Sequence, residues 1–490
     1  MTVGIIGAGI GGIATAIRLK NKGYDVDVFE ANAYAGGKLS SFEQAGYRFD
    51  AGPSLFTMPH LVEELFTMSG KKVIDYFEYF RLPEVCRYFW EDNTRLTVPA
   101  DTRLFAQEAE KQLGEPAEKI IRILQDSAFK YEILSGLFLE DSLHKFSTWV
   151  SKKALRGYIN LPKLGIFDTM NAANERFFST AKAVQLFNRY ATYNGSDPYQ
   201  TPATMNIIPH LEYNVGAFFP KNGMYGITQS LVKLAEDLGV KFHFNTRVKE
   251  ICVADKKIKG IRLENAEKDF LPFDVVVSNM DISPTYRKLL PTEKHPEKLL
   301  RQPKSGSGLI FYWGIGKEFP ELGLHNIFFS DNYKVEFEHQ FQKKNIYHDP
   351  TIYLNITSKY KKDDAPAGCE NWFILLNAPA NEGQDWDTII NEARQNVIQK
   401  LSRNLQTDIA ALIETEAILD PRSIELKTSS AQGALYGNSS NNKFAAFLRH
   451  ANFSSRIKNL YFVGGSVHPG GGIPLALSSA RIVGEMLAEA

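Results

Sequence analysis

The sequence has few cysteines and no long apolar run. Its 490 residues include only three cysteines, and Cys86, Cys252 and Cys369 are far apart along the chain. This spacing is typical neither of a disulfide framework nor of a paired-cysteine metal site, so we expect a reducing compartment. No run of about 18 apolar residues occurs, and the first residues lack the basic flank and cleavage site of a signal peptide. We therefore expect a cytoplasmic protein without membrane spans.

The chain also lacks an excess of either charge. Lys plus Arg and Asp plus Glu each total 56, so no overall positive field is present to hold a nucleic-acid backbone, and we predict no nucleic-acid partner. The ten histidines do not cluster with Cys, Asp or Glu at metal-ligand spacings, so we predict no metal site. Hydrophobic residues make up 44% and charged residues 23%, which is typical of a globular protein and not of a disordered chain.

The first motif in the chain is a predicted strand, glycine turn and helix at the N-terminus. Residues 2–6 are apolar, residues 7–12 read GAGIGG, and residues 13–19 have helical spacing. In a GxGxxG turn, successive glycines make the bend, admit a pyrophosphate and let the helix pack on the strand. The free N–H groups of the helix then face the anion. We predict a dinucleotide site that includes Gly7, Gly9, Ile10, Gly11 and Gly12.

An acidic residue follows the next strand. Residues 24–29 form a second apolar run, and Glu30 ends it, 23 residues after Gly7. An acid at this place can bond a pair of ribose hydroxyls and disfavours a 2′-phosphate. We therefore add Glu30 and Ala31 to the predicted site.

Two further segments favour a flavin over a nicotinamide. Residues 35–38 read AGGK, and residues 47–54 read YRFDAGPS. They resemble the flavoprotein superfamily of amine oxidases, protoporphyrinogen oxidases and carotenoid desaturases, whose fingerprint has Gly-Gly-Arg after the ribose acid. Lys38 replaces that arginine, so the positive charge is kept but the two-pronged contact is lost. The resemblance implies bound FAD and contacts from Gly37, Lys38, Leu39, Gly52, Pro53 and Ser54.

The C-terminus carries the most specific motif. Residues 459–474 read NLYFVGGSVHPGGGIP and contain every fixed position of the pattern NLY-x-VG-x-x-x-HPG-x-G-x-P. The chain thus resembles bacterial carotenoid desaturases of the phytoene-desaturase type. In that family the glycine turn and the following helix meet the cofactor, and a strand near position 248 meets the adenine. The resemblance therefore implies further contacts from Val248, Gly464, Gly465, Gly472, Ile473 and Pro474.

The predicted fold is α/β, an α+β composite with three parts. Strand-like runs at 309–313, 327–330, 351–356 and 372–376 alternate with turn residues, as in an antiparallel sheet. Asp101 and Pro116 are placed to begin helices, and residues 359–364, of mixed charge, are predicted to form a solvated loop. The expected parts are a Rossmann-like FAD-binding domain (1–80, 218–285 and 425–490), a substrate-binding sheet domain (81–97 and 286–424) and a helical cap (98–217).

Residues 142–167 break the even charge pattern. They contain five basic residues and no Asp or Glu, interleaved with aromatic and aliphatic residues. Such a segment is typical of a helix or loop lying in a lipid interface, and equally of a solvated helix face beside an ordinary core. If it docks, the protein is peripherally associated with the inner face of the membrane, through Lys145, Trp149, Lys152, Lys153 and Arg156.

The resemblance implies a carotenoid substrate and a reaction for it. A carotenoid has almost no polar groups, so recognition must come from burying its apolar surface. Each Å² of apolar surface buried contributes roughly 25 cal/mol of stabilisation. Desaturation transfers a hydride from an allylic carbon to the flavin and releases a neighbouring proton. The polyene stabilises the developing cation, so we assign no catalytic side chain.

Several functions stay open at this point. Within the family the chain most resembles the enzymes that introduce the 3,4 double bond into 1-hydroxylated carotenoids. Alternatives are a phytoene-type desaturase, a non-redox carotene isomerase, an amine or porphyrinogen oxidase, and a non-enzymatic lipid-binding module of the Rab escort type.

Overall fold

The computed structural model describes residues 1–265, 269–442 and 449–488. The strands, in chain order, are β1 (Thr2–Ile6), β2 (Asp25–Phe29), β3 (Ser41–Gln44), β4 (Tyr47–Asp50), β5 (Tyr79–Arg81), β6 (Glu84–Phe89), β7 (Arg95–Pro99), β8 (Phe218–Pro220), β9 (Lys241–His243), β10 (Val248–Ala254), β11 (Lys257–Leu263), β12 (Phe270–Pro272), β13 (Val275–Ser278), β14 (Ser307–Ile315), β15 (His325–Phe328), β16 (Ile352–Ile356), β17 (Glu370–Ala378), β18 (Ile413–Leu419) and β19 (Leu460–Phe462). The helices are α1 (Ile10–Lys20), α2 (His60–Met68), α3 (Thr102–Leu113), α4 (Ala117–Ser135), α5 (Phe146–Trp149), α6 (Lys152–Asn160), α7 (Met170–Phe177), α8 (Ala181–Asn188), α9 (Tyr225–Asp237), α10 (Ile282–Pro284), α11 (Glu297–Leu300), α12 (Tyr333–Glu338), α13 (Trp386–Leu405), α14 (Pro421–Thr428) and α15 (Ile473–Ala488).

A five-stranded sheet joins the two ends of the chain. Its order is β19-β13-β1-β2-β9, and each neighbouring pair is parallel. The central strand β1 is apolar on both faces, because Val3 and Ile5 share one buried core with helices α1, α9 and α15, and Ile6 shares another with β10 and β11. In an open parallel sheet, ligands bind outside the carboxyl ends of the strands. The glycine turn after β1, Glu30 after β2 and Gly464 near the end of β19 all lie at that edge.

A second sheet has the order β18-β14-β17-β16-β15-β6-β7. The predicted strands between residues 300 and 420 are confirmed. These strands pair antiparallel, as expected, whereas β6, which joins the sheet from residues 81–97, runs parallel to β15. One face packs on α13, where Trp313, Trp372 and Val397 share a buried cluster. The sequence analysis did not identify this helix.

Helices α3 to α8 lie in the chain between β7 and β8. The Asp101 carboxylate accepts hydrogen bonds from the backbone N–H groups of Arg103 (2.8 Å) and Leu104 (3.0 Å), and Pro116 directly precedes α4. Both predicted helix starts are confirmed. Among the described residues, none of the helices is at once long and apolar enough to cross a membrane.

The loop predicted at residues 359–364 is not wholly solvated. Asp364 is completely buried and receives hydrogen bonds from Thr357 and from the Arg48 guanidinium, with the Lys361 ammonium 2.9 Å away. These partners compensate the burial of its carboxylate. Thr357 and Lys361 are near Asp364 in the chain, whereas Arg48 lies 316 residues away on β4, so the mixed charges of the segment gave no sign of that contact.

Candidate flavin site

The N-terminal glycine turn bends sharply between β1 and α1. Gly7 has a φ of +97°, in the left-handed region that favours glycine, and its N–H donates to Phe29 O at 2.8 Å. A Cβ added to Gly12 would lie 2.2 Å from the Gly7 carbonyl oxygen. The third glycine therefore allows the close approach of helix and turn that the motif predicts.

Asn279 fills the space between the two glycine turns. Its N–H donates to Ile6 O at 2.8 Å, and its side chain lies against Gly9, Gly11 and Gly464, where an added Cβ would approach it within 2.5 to 3.0 Å. The sequence analysis did not include Asn279 in the site. The available signal was a polar residue directly after the buried strand β13, at the carboxyl edge of the parallel sheet.

Glu30 is buried at the end of β2 and organises the loops around it. One carboxylate oxygen accepts from Ala8 N at 2.8 Å, and the other accepts from Asn32 N at 2.9 Å. The backbone oxygen of Glu30 accepts from Thr246 N at 2.8 Å. The start of β10 at Val248, itself buried, is therefore brought near Glu30 and Ala31.

Lys38, the last residue of the AGGK segment, is partly buried. Its ammonium donates to Ala434 O at 3.1 Å and to Leu435 O at 3.0 Å. Burial lowers the pKa of Lys38 to about 8, against the opposing attraction of Asp281. In this structure the lysine ties its segment to residues 434–435, which the sequence analysis did not foresee.

The neighbours of Lys38 connect it to the second sheet. The Leu39 carbonyl accepts from Thr228 Oγ1 at 3.1 Å, and a Cβ on Gly52 would lie 1.7 Å from the Lys38 oxygen. Segments 37–39 and 52–54 are thus in contact. Beyond Pro53, the Ser54 hydroxyl lies 2.7 Å from the Tyr353 hydroxyl on β16.

The C-terminal turn lies against the N-terminal one. A Cβ on Gly11 would lie 3.3 Å from the backbone of Gly464. A Cβ on Gly472 would meet no described atom within 4 Å. Helix α15 then begins at Ile473 and Pro474, with no acidic residue in its first turn. The structure therefore brings Gly464, Gly465 and the start of α15 to the same sheet edge as the first motif.

The chemistry of these groups fits a flavin dinucleotide. Helix α1 begins at Ile10 after Gly9, which offers no side-chain cap, and its first turn holds no acidic residue. Its first N–H groups therefore suit a phosphate. The Glu30 carboxylate can accept hydrogen bonds from ribose hydroxyls, and Lys38 has a partly buried ammonium group. The second sheet approaches the same region, where Tyr353 on β16 contacts Ser54.

Comparison with known proteins agrees with this site. The profile of the flavin containing amine oxidoreductases matches residues 10–485. The chain is 52% identical to the 1-hydroxycarotenoid 3,4-desaturase of Flavobacterium sp. (strain P99-3), covering 99% of this chain and 98% of that protein. It is 35% identical to the 4,4'-diapolycopene oxygenase of Methylomonas sp, covering 98% and 96%. Cyclohexylamine oxidase from Brevibacterium oxydans IH-35A has a similar fold, with a TM-score of 0.60 at 15% identity over 100% of this chain and 99% of that one.

The parallel sheet with two glycine turns at its carboxyl edge, together with these comparisons, identifies the protein as an FAD-dependent oxidoreductase. The chain belongs to the flavin containing amine oxidoreductase family.

Proposed function

We propose that this protein is an FAD-dependent carotenoid desaturase that introduces the 3,4 double bond into a 1-hydroxylated carotenoid. The observation that carries the proposal is the 52% identity, over nearly the whole chain, to a 1-hydroxycarotenoid 3,4-desaturase. The site supports it, because the segments assigned to the flavin meet a buried aromatic sheet face that suits a polyene. The 35% identity to a 4,4'-diapolycopene oxygenase favours oxygenation as the second candidate.

We also propose how the chain holds its cofactor. The first turn of α1 binds the pyrophosphate, Glu30 and Ala31 bind the ribose, Val248 meets the adenine, and the start of α15 faces the flavin ring. The other contacts are those assigned above to Gly7, Gly9, Gly12, Gly37, Lys38, Leu39, Gly52, Pro53, Ser54, Gly464, Gly465 and Gly472.

The chemistry divides between cofactor and chain. Bound FAD supplies a hydride acceptor, so that the carotenoid loses one hydride and one proton and gains one carbon–carbon double bond. The chain's part is to hold the polyene and to exclude water. Tyr312 and Phe373, which are buried, and Tyr353, which is partly buried, supply aromatic surface on the sheet face beside residues 51–54. The Tyr312 hydroxyl donates to Ala51 O at 3.0 Å.

The division into parts is proposed on the same basis. The parallel sheet takes its strands from residues 1–80, 218–285 and 425–490, and the second sheet takes most of its residues from 81–97 and 286–424. Residues 98–217 are mainly helical. These memberships support an FAD-binding domain, a substrate domain and a helical cap.

The function is tested by incubating the FAD-loaded protein with a 1-hydroxylated carotenoid in liposomes and measuring the pigment mass. A product lighter by two hydrogen atoms supports desaturation, and the position of the new double bond then tests the 3,4 assignment. A product of unchanged mass indicates isomerisation, and one that has gained oxygen favours the oxygenase alternative. Failure to take up FAD contradicts the whole proposal.

Replacing Glu30 by alanine is expected to weaken FAD binding by about 10- to 100-fold. The reason is the loss of a charge-assisted hydrogen bond, worth roughly 1–3 kcal/mol, together with release of the Ala8 and Asn32 loops that the carboxylate holds. The measurement is the dissociation constant from flavin fluorescence. As a control, Asp27→Ala removes an acid of the same strand that pairs with His243, and should leave the affinity near wild type. Unchanged flavin retention in Glu30→Ala contradicts the assignment.

We propose that residues 142–167 dock on a membrane surface, with apolar side chains as the principal contacts. Phe146, Ile159 and Phe167 are 81%, 72% and 75% exposed, which is unusual for such large apolar groups. Two of the predicted cations already have acidic partners, since Lys153 pairs with Glu140 and Asp141, and Arg156 with Glu132.

The remaining predicted contacts differ in exposure. Lys152 is exposed, and Lys145 is partly buried. The Trp149 indole N–H donates to Leu143 O at 2.8 Å, so this ring is partly engaged by its own segment. Basic residues near an anionic surface each contribute about 1 kcal/mol, so the proposal combines apolar insertion with a smaller electrostatic part.

Changing Phe146, Ile159 and Phe167 together to serine is expected to reduce co-sedimentation with anionic liposomes by about 10-fold or more, because apolar area buried in lipid is lost. Neutralising Lys152, Lys153 and Arg156 should cause a smaller loss that shrinks as salt is added. Leu426→Ser is the control, since Leu426 is 82% exposed outside the segment. Equal sedimentation of the triple serine variant and the wild-type protein removes the docking proposal.

A further inference from the structure

The face of the second sheet that is turned away from α13 carries a line of polar groups. The strand registers place Tyr312, Phe373, Asn355 and His325 in one row across four strands, and Leu375, Tyr353, Ile327 and Tyr88 in the next. Facing residues of paired strands lie on the same side of a sheet. Both rows therefore lie on the side of the sheet that receives the Ala51–Ser54 segment.

A chain of hydrogen bonds runs from Ser54 to His325. The Ser54 hydroxyl lies 2.7 Å from the Tyr353 hydroxyl, which lies 2.7 Å from His325 Nδ1. Asn355 Nδ2 donates to the Leu324 carbonyl (3.0 Å) and approaches His325 Nδ1 (3.1 Å). Because an amide NH₂ can only donate, Nδ1 is an acceptor, and the ring proton of neutral His325 is on Nε2.

That Nε2 proton has no acceptor within the described part of the chain. His325 is 3% exposed, and its Nε2 is buried without a hydrogen-bond partner. Buried polar groups are nearly always hydrogen-bonded, so an unpaired donor of this kind needs an explanation such as a ligand. Burial and the nearby positive charge of Arg189 lower the pKa of His325 to about 3, which keeps the ring neutral.

Beside His325 lies a polar cluster around Arg189. Its guanidinium donates hydrogen bonds to other members of the cluster, except at one atom. The Arg189 guanidinium donates to Glu212 (2.6 Å), to the Tyr190 hydroxyl (2.9 Å) and to the Tyr88 hydroxyl. Its Nε is a second buried donor, and it has no hydrogen-bond partner among the residues that the structure describes. A pure hydrocarbon offers nothing to these groups, whereas the oxygen of an alcohol accepts a hydrogen bond and its O–H donates one.

We propose that His325 Nε2–H donates a hydrogen bond to the hydroxyl group of the carotenoid, and that the Arg189–Glu212–tyrosine cluster provides the polar end of the substrate site. The inference rests on the proposed function and deepens it by assigning the hydroxylated end of the substrate to a place in the fold. His325 is then a specificity-determining residue, and Tyr353 is a positioning residue that holds its ring.

The test compares two carotenoids that differ only in the 1-hydroxyl group, supplied in the same liposomes to FAD-loaded protein. The wild-type ratio of kcat/KM, hydroxylated over non-hydroxylated, is expected to be well above one. In His325→Leu this ratio should fall by about 10- to 100-fold, because activity on the alcohol falls much further than activity on the hydrocarbon. His325→Gln retains an N–H donor and should restore part of the ratio, and Tyr353→Phe should lower it less than His325→Leu.

Other outcomes separate this inference from the proposed function. An equal fall on both substrates, or a wild-type ratio near one, overturns the hydroxyl assignment while desaturation stands. If the wild-type protein converts neither carotenoid, the proposed function fails, and retention of each pigment by the protein is then compared directly. Two retention results contradict a hydrogen-bond donor at His325. In the first, the wild-type protein retains both pigments equally well. In the second, it retains the alcohol more tightly, but His325→Gln loses this preference as fully as His325→Leu does. If His325→Leu does not fold, the Gln and Phe variants alone carry the comparison.

Discussion

Replacing Arg189 by methionine is expected to lower the free energy of unfolding by about 3–5 kcal/mol, because it leaves the Glu212 carboxylate buried without its partner. Arg189 and Glu212 are 5% and 2% exposed and pair at 2.6 Å. Three tyrosine hydroxyls complete the cluster, and none of them can replace the lost charge. Denaturant unfolding, followed by tryptophan fluorescence at fixed FAD concentration, measures the change.

Two comparisons show whether the buried pair is responsible. Arg176→Met breaks an exposed pair with Asp168, whose side chains are 62% and 48% exposed, and should cost less than about 1 kcal/mol. The double variant Arg189→Met/Glu212→Leu removes both charges and should regain much of the stability lost in the single variant. If Arg189→Met is as stable as Arg176→Met, the cluster does not have the energetic role that its burial implies.

The sequence predicts those parts of the candidate site that are formed by local motifs. A glycine turn after a strand specifies its own bend, and Glu30 is positioned by the strand that precedes it. The structure places Gly7, Gly12 and Gly464 at one sheet edge because parallel strands end together there. Which groups contact FAD remains a prediction, but their convergence follows from strand order alone.

The rest depends on pairing between distant strands. His325 faces Asn355 only because β15 and β16 pair in one register, and a shift by one residue would turn each side chain to the other face. The periodicity of the sequence does not predict that pairing register. Likewise, Asn279 reaches the glycine turns only because β13 lies beside β1. The parallel pairing of β6 with β15 joins segments that are far apart in the chain.

Replacing Gly12 by alanine is expected to weaken FAD binding by roughly 100-fold, or about 3 kcal/mol. The new Cβ would lie 2.2 Å from the Gly7 carbonyl oxygen and 3.3 Å from Asn279. Since the clashing oxygen belongs to the backbone, no side-chain rotation relieves the overlap, and the start of α1 must move away from the turn. The N–H groups proposed to hold the pyrophosphate would move with it. Flavin fluorescence titration of the apoprotein measures the affinity, and far-UV circular dichroism checks the fold.

A matched substitution separates this clash from a general effect of adding a methyl group to a helix. Gly157 lies within α6, and a Cβ there would meet no atom of the described residues within 4 Å. Gly157→Ala should therefore bind FAD as the wild-type protein does and gain about 0.5–1 kcal/mol of stability from helix propensity. If Gly12→Ala retains FAD as well as Gly157→Ala does, the pyrophosphate cannot depend on the close approach of α1 to the first turn. The phosphate contacts would then have to be sought at the start of α15, where Gly472 leaves the backbone open.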